Sequence, residues 1–104
     1  MTTTAVREDT TITFPFGTKV TGTLIHDAEH SRLVLETDEG PEPLSINLAN
    51  DGLLPAEGCV FIKDWSDRAG LAESLEQQGL VEIVGRRVVG PFSSTAYEVR
   101  VLLD

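Results

Sequence analysis

The chain has 104 residues, 40% of them hydrophobic, and its 17 acidic against 8 basic side chains give a net charge of −9. Such a length and apolar fraction suffice for one core, while the acidity speaks against direct contact with nucleic acid or an anionic membrane, both of which reward cationic surfaces. The single cysteine, Cys59, excludes an internal disulfide and suits a reducing cytoplasm, and no apolar run approaches the ~20 residues of a membrane-spanning helix.

The polar, Thr-rich stretch from Met1 to Asp9 lacks the apolar core of a signal peptide. It reads as a disordered lead-in, which leaves 10–104 as a single α+β domain. Ile12, Phe14 and Phe16 then alternate with Thr and Pro, the period of a half-buried strand, with Pro15 marking an edge or an end. Lys19 to His26 alternates again, with Val20, Gly22 and Leu24 on one face. Ser31 to Thr37 follows with Leu33 and Leu35 opposed to Arg32, Val34 and Glu36. The polar connection 27–30 fits a hairpin, and Asp38-Glu39-Gly40-Pro41 carries the breakers of a second turn. Leu44, Ile46 and Leu48 alternate as a further strand, so the first half is expected to be a meander whose ends could approach closure.

A loop built on Asn50-Asp51-Gly52 and Pro55 leads to Cys59-Val60-Phe61-Ile62, a continuous apolar run that fits a strand buried on both faces. One helix is expected at about 67–78. Ser66 or Asp67 would cap it, Leu71, Ala72 and Leu75 would form its apolar stripe, and Gln77 and Gln78 would face water. Gly79 is placed for a left-handed C-terminal cap, with Leu80 folding back. Short strands are expected at Leu80–Val84 and Val88–Val89 around a Gly85-Arg86-Arg87 turn, then an amphipathic strand from Ala96 to Leu103. The expected fold is α+β, a curved antiparallel sheet of five to seven strands with one packed helix.

Charge is the feature with most functional leverage. Eight acids and one base, Arg32, lie between Asp27 and Glu57, so this third of the chain carries −7. If Glu36, Asp38, Glu39 and Glu42 share a surface, they could face a basic protein; equally, charge at hairpin tips is routine for solubility. Asp64 and Trp65 open the way into the helix. Trp65, the one tryptophan, reads either as a partner anchor or as packing over the helix start. His26-Asp27-Ala28-Glu29-His30 places two imidazoles and two carboxylates in five residues, and His26, Glu29 and His30 offer donors for a metal-dependent site, although zinc needs three or four converging ligands and no cysteine or third histidine lies nearby in sequence. Cys59 reads as a small buried hydrophobe. No Gly-x-Ser-x-Gly elbow or glycine-rich phosphate loop is present.

The order Asn47-Leu48, Leu53-Leu54-Pro55, Phe61-Ile62-Lys63-Asp64, Gly70, Leu75, Gly79-Leu80-Val81 and Gly85-Arg86 resembles a small uncharacterised family, a domain of unknown function found in bacteria, phages and mobile elements. The resemblance covers roughly residues 44 to 92 and departs near Arg68 and Ala69, where the family pattern has an asparagine. It implies no activity or cofactor. It implies a mobile-element accessory protein, a class that often inhibits host defence by binding, of the anti-CRISPR or anti-restriction type. The expectation is a non-enzymatic protein that binds a basic-surfaced partner. The alternatives are a metal-dependent module using His26, Glu29 and His30, and self-association through edge strands such as Thr10–Phe16 or Ala96–Leu103.

Overall fold

Threonine and valine favour extended backbone, and the first strand starts well before Thr10. In the computed structural model, which describes residues 4–15, 17–65 and 69–103, β1 spans Thr4–Thr13. The expected lead-in therefore supplies, from Thr4 to Asp9, the first half of a strand; Phe16 lies outside the described residues. A register shift between Arg7 and Thr10 bulges β1. Asp9 takes a positive φ of 51° there, and the buried Thr10 hydroxyl closes the bulge by donating to the Arg7 carbonyl at 2.9 Å.

Strands β2 (Lys19–Asp27), β3 (Arg32–Thr37) and β4 (Gly40–Pro43) complete an antiparallel sheet of order β1-β2-β3-β4. β1 and β4 are its edges, so the meander does not close. Leu24 pairs with Leu35 and His26 with Leu33 on the inner face, while Ile25 pairs with Val34 on the outer face. The segment from Leu44 to Leu48, expected as a strand, instead crosses between sheets. The Leu44 and Ser45 N–H groups both donate to the Leu33 carbonyl, and the Ile46 N–H donates to Phe61. Pro41 and Pro43 explain the early end of the ladder, because proline has no N–H to give.

The second sheet contains β5 (Cys59–Lys63), β6 (Val81–Val89) and β7 (Ser94–Val101) in the order β5-β7-β6. The seven strands thus form two antiparallel sheets rather than one curved sheet. Gly85-Arg86-Arg87, expected as a turn, lies inside β6, where a bulge between Ile83 and Gly85 absorbs the irregularity. β7 is the central strand, so Ala96 to Leu103 is not an edge available for self-pairing.

The helix α1 is short, Leu71–Gln77. It begins later than expected because Gly70 stands at its N-cap in the left-handed conformation (φ 85°), with no side chain capping it. The expected caps Ser66 and Asp67 lie outside the described residues. Its C-terminus is as the sequence suggests. Gly79 (φ 77°) donates to Glu76, Leu80 donates back to Leu75, and Leu80 is buried, the paired bonds of a Schellman cap. Gln78 does not face water. Its amide oxygen accepts the Thr13 N–H at 3.2 Å, and the Ser74 hydroxyl donates to the Thr13 carbonyl, which seals the end of β1.

The main core lies between the two sheets and α1 and joins Leu24, Leu33 and Leu35 to Val60, Ile62 and Val99. Leu71, Ala72 and Leu75 are fully buried against it, and each buried leucine contributes about 1.5–3 kcal/mol. A smaller cluster of Leu48, Phe61, Val89 and Ala96 covers the back of the second sheet. No helix among the described residues is long and apolar enough to cross a membrane.

Candidate functional site

The strand registers divide the acidic residues that the sequence grouped. Glu36 stands opposite Pro41, and Glu42 stands opposite Leu35. Directly paired residues share a face, so Glu36 lies on the outer face with Val34 while Glu42 lies on the inner side. Asp38 and Glu39 are exposed in the turn between β3 and β4. The four carboxylates do not form one surface.

Asp64 and Trp65 serve the fold first. The Asp64 carboxylate accepts the Gly70 N–H at 2.6 Å, fixing the chain that enters α1. Trp65 is half-buried against the cluster of Leu48, Phe61 and Val89. The Lys63 ammonium lies 5.8 Å from its ring centroid, within cation–π range. The remaining edge of Trp65 lines a cleft of about 410 Å³ together with Asp51 and Lys63.

The larger cleft, about 460 Å³, was not legible in the sequence. Its apolar walls are Val34, Pro43, Ile46, Leu54, Pro55 and Phe61. Glu29, His30 and Arg32 rim one end. Leu54 is 80% exposed at this wall, while its neighbour Leu53 packs inward. Glu36 stands two residues from Val34 on the same face, about 7 Å along the strand. The cleft therefore combines an apolar floor with a rim of mixed charge, Glu29 and Arg32.

The loop bearing Leu54 is held by a residue the sequence reading passed over. Glu98 is 6% exposed on β7. One carboxylate oxygen accepts the Ala56 N–H at 2.8 Å, and the other pairs with the Arg87 guanidinium at 2.8 Å. Ion pair and loop anchor are the same side chain.

No family model, curated protein or solved structure matches this chain.

The two histidines part company. His26 faces inward between Ala5 and Leu33 and is 7% exposed, and its Nε2 has no hydrogen-bond partner. His30 is exposed, and its Nδ1 lies 2.8 Å from the Asp27 carboxylate. The donors that converge are accordingly Asp27, Glu29 and His30, within 4.8 Å of one another, and not the expected set with His26. The His30 hydrogen bond holds the Asp27 carboxyl below its ordinary value. Cys59 is buried, and burial, reinforced by the Glu98 carboxylate, pushes its thiol above its ordinary value, away from the thiolate a nucleophile needs.

Burial also lowers the pKa of His26, against a smaller opposing pull from Asp27. A lowered pKa means that the unfolded chain binds protons before the folded one does. The stability from neutral His26 is then complete above pH 6.5, its unfolded value, and declines as the pH falls from there toward the lowered folded value. Urea unfolding from pH 7.5 to 5 should show this decline, and His26→Leu should flatten it by removing the titrating group and its orphaned nitrogen. An equal decline in the variant would assign it to other groups.

Proposed function

We propose that this chain is a non-enzymatic protein-binding module whose larger cleft receives an apolar side chain of a partner protein flanked by basic residues. The observation that carries this reading is the cleft, with Leu54 left 80% exposed on a loop that Glu98 holds in place. An exposed leucine on an ordered wall is placed to contact a partner. The segment that supplies most of the walls, 27–57, carries −7, which favours a cationic partner and speeds its approach. Of the acids singled out in the sequence, Glu29 lines the cleft, and Glu36 shares the outer face of β3 with Val34. Glu42 stands on the other face.

The resemblance over residues 44 to 92 suggests the narrower form of this reading, an accessory inhibitor from a mobile element that acts in the cytoplasm. Its target would be a host nucleic-acid-handling or defence protein, whose cationic surface exists to hold a polyanion.

Calorimetric titration with a short peptide carrying two arginines beside an aromatic residue tests the reading. Binding should weaken with added salt and about tenfold on Leu54→Asp, since each 1.4 kcal/mol is a factor of ten and a buried leucine contributes at least that much. Glu29→Gln with Glu36→Gln should flatten the salt dependence; Glu42→Gln should leave it unchanged. Equal binding of a peptide with glutamates in place of the arginines, or indifference to Leu54→Asp, would refute the assignment.

A further inference from the structure

A sheet edge is a row of unpaired backbone groups, and proteins close such rows by recognisable devices. β4 contains Pro41 and Pro43, which have no N–H to give. β1 is bulged between Arg7 and Thr10, with Glu8 and Asp9 exposed there, and its Thr13 N–H is taken by Gln78. β5 is bridged by the crossing segment, whose Ile46 N–H donates to the Phe61 carbonyl. The fourth edge, β6, is closed over only part of its length. The Asp64 N–H donates to the Thr95 carbonyl and the Val101 N–H to the Gly58 carbonyl. The odd-numbered residues of β7 therefore turn their backbone groups toward β5, and the even-numbered ones toward β6. In β6 the residues opposite odd-numbered partners face away from the sheet: Ile83 opposite Val99, Arg86 opposite Tyr97 and Val88 opposite Thr95. The Ile83 N–H is taken by the Glu76 carboxylate of α1 at 2.9 Å. Among the described residues, no such bond reaches the N–H of Arg86 or of Val88.

Bare apolar side chains mark the same stretch. Val84 is 47% exposed and Val88 56%, and Phe92 projects from the turn beyond them. Arg86 is exposed and stands two residues from Val88, so the two side chains share one face. We infer that β6 accepts an added strand along Arg86 to Val88: an extended segment of a partner protein, with an acid beside Arg86 and an apolar residue two positions away beside Val88. Main-chain bonds from the two N–H groups supply affinity, and the two side chains supply selectivity. The Arg86 carbonyl already accepts from the Arg87 guanidinium at 3.1 Å, but a carbonyl oxygen has two lone pairs. The acid is assigned from the local charge. Ile83 to Tyr97 contains Arg86, Arg87 and no acid, and Arg87 is committed to Glu98, which leaves Arg86 to meet a carboxylate. A second copy fits poorly, because two-fold pairing centred on this stretch sets Arg87 opposite Arg87, and like charges directly opposed destabilise a ladder. No residue of β6 lines the larger cleft, so this edge and the cleft stand or fall separately.

The test is amide exchange and ¹H–¹⁵N spectra of the full chain, titrated with a blocked hexapeptide that alternates glutamate and valine. Salt is held at about 0.15 M, where the ~8 Å Debye length screens the remote acids of the chain but spares contacting groups. Without peptide, the amides of Arg86 and Val88 should exchange about tenfold or more faster than those of Arg87 and Val89, which are bonded to β7. With peptide, Arg86 and Val88 should shift saturably and their exchange should slow. Val88→Pro removes one outward N–H and no bond to β7, a substitution edge strands tolerate, and it should abolish binding. Arg86→Glu should weaken binding about tenfold or more, since like charges then adjoin, and a lysine–valine peptide should restore it; that surface change decides the matter if the proline variant does not fold. Overturning results are no saturable shift on β6, shifts centred on β1, unchanged binding by folded Val88→Pro, or equal binding of the lysine–valine peptide to the unmodified chain. Protection of Arg86 and Val88 that grows with protein concentration in the absence of peptide would make a second copy the occupant, and would overturn the inference as well.

Discussion

Gly22→Ala is expected to destabilise the protein by about 3 kcal/mol or more, the upper range of overpacking costs. A Cβ at this position would stand 2.1 Å from the Glu36 carbonyl oxygen and 2.9 Å from its carbon. Neither atom can rotate away, since both belong to the backbone of β3. The strands would have to separate where Thr23 pairs with Glu36, beside the Leu24–Leu35 pair in the centre of the core. Gly58→Ala is the natural comparison. Its φ of 80° strains an alanine, but nothing lies within 4 Å of the added carbon, so the cost is about 1–2 kcal/mol. Urea midpoints measure both. Similar losses at the two positions would mean that β2 and β3 do not approach as closely as described.

Glu98→Ala is expected to cost about 2–3 kcal/mol. It strands the Ala56 N–H, a loss of about 1–3 kcal/mol, and it breaks the pair with Arg87. The half-exposed Arg87 side chain can return to water, which keeps the loss below the about 3–5 kcal/mol of a wholly buried pair. Glu98→Gln retains an acceptor for Ala56 and should lose roughly half as much. The effect should also be local. Amide hydrogen exchange should accelerate from Ala49 to Gly58, and peptide affinity should fall with it, because the loop carries Leu54 into the cleft wall. Thermal melts give the first quantity and exchange gives the second. A Glu98→Ala protein with unchanged exchange in that loop would show that the loop is held by something else.

Local pattern made much of the secondary structure readable. The unbroken run Cys59 to Ile62 announced a strand buried on both faces, and it is one. Gly79 followed by Leu80 announced the helix end. Gly70 also carried a signal, since a left-handed glycine is a poor interior helical residue, but the expected stripe drew the helix start across it. The continuity of β6 was hidden because Gly85 with two arginines looks like a turn. Only the partner strand, which sets Gly85 against Glu98, makes it a bulge.

The site was less legible, because it depends on which faces meet. Alternation placed Tyr97, Val99 and Val101 inward and left Glu98 to solvent. Yet β7 is central and paired with the doubly buried β5, so its other face is covered too, by the segment from Ile46 to Ala56. Pairing β5 with β7 is a long-range fact that no window of sequence contains. The same limit applied to the acids. Their clustering along the chain was correct, but a strand sends alternate residues to opposite faces, and a hairpin returned Glu42 beside Leu35 rather than beside Glu36. His26 and His30 were separated likewise, four residues apart yet one in the core and one in water.

The most direct test of the cleft is a two-dimensional ¹H–¹⁵N spectrum of the labelled protein, titrated with the arginine–aromatic peptide. The amides of Val34, Ile46, Leu54 and Phe61 should shift in a saturable manner, while those of Glu42, Leu71 and Leu75, on the inner face and the helix, stay in place. Shifts centred on α1 or on the inner face, or no saturable shift at any residue, would contradict the assignment of this cleft as the binding site.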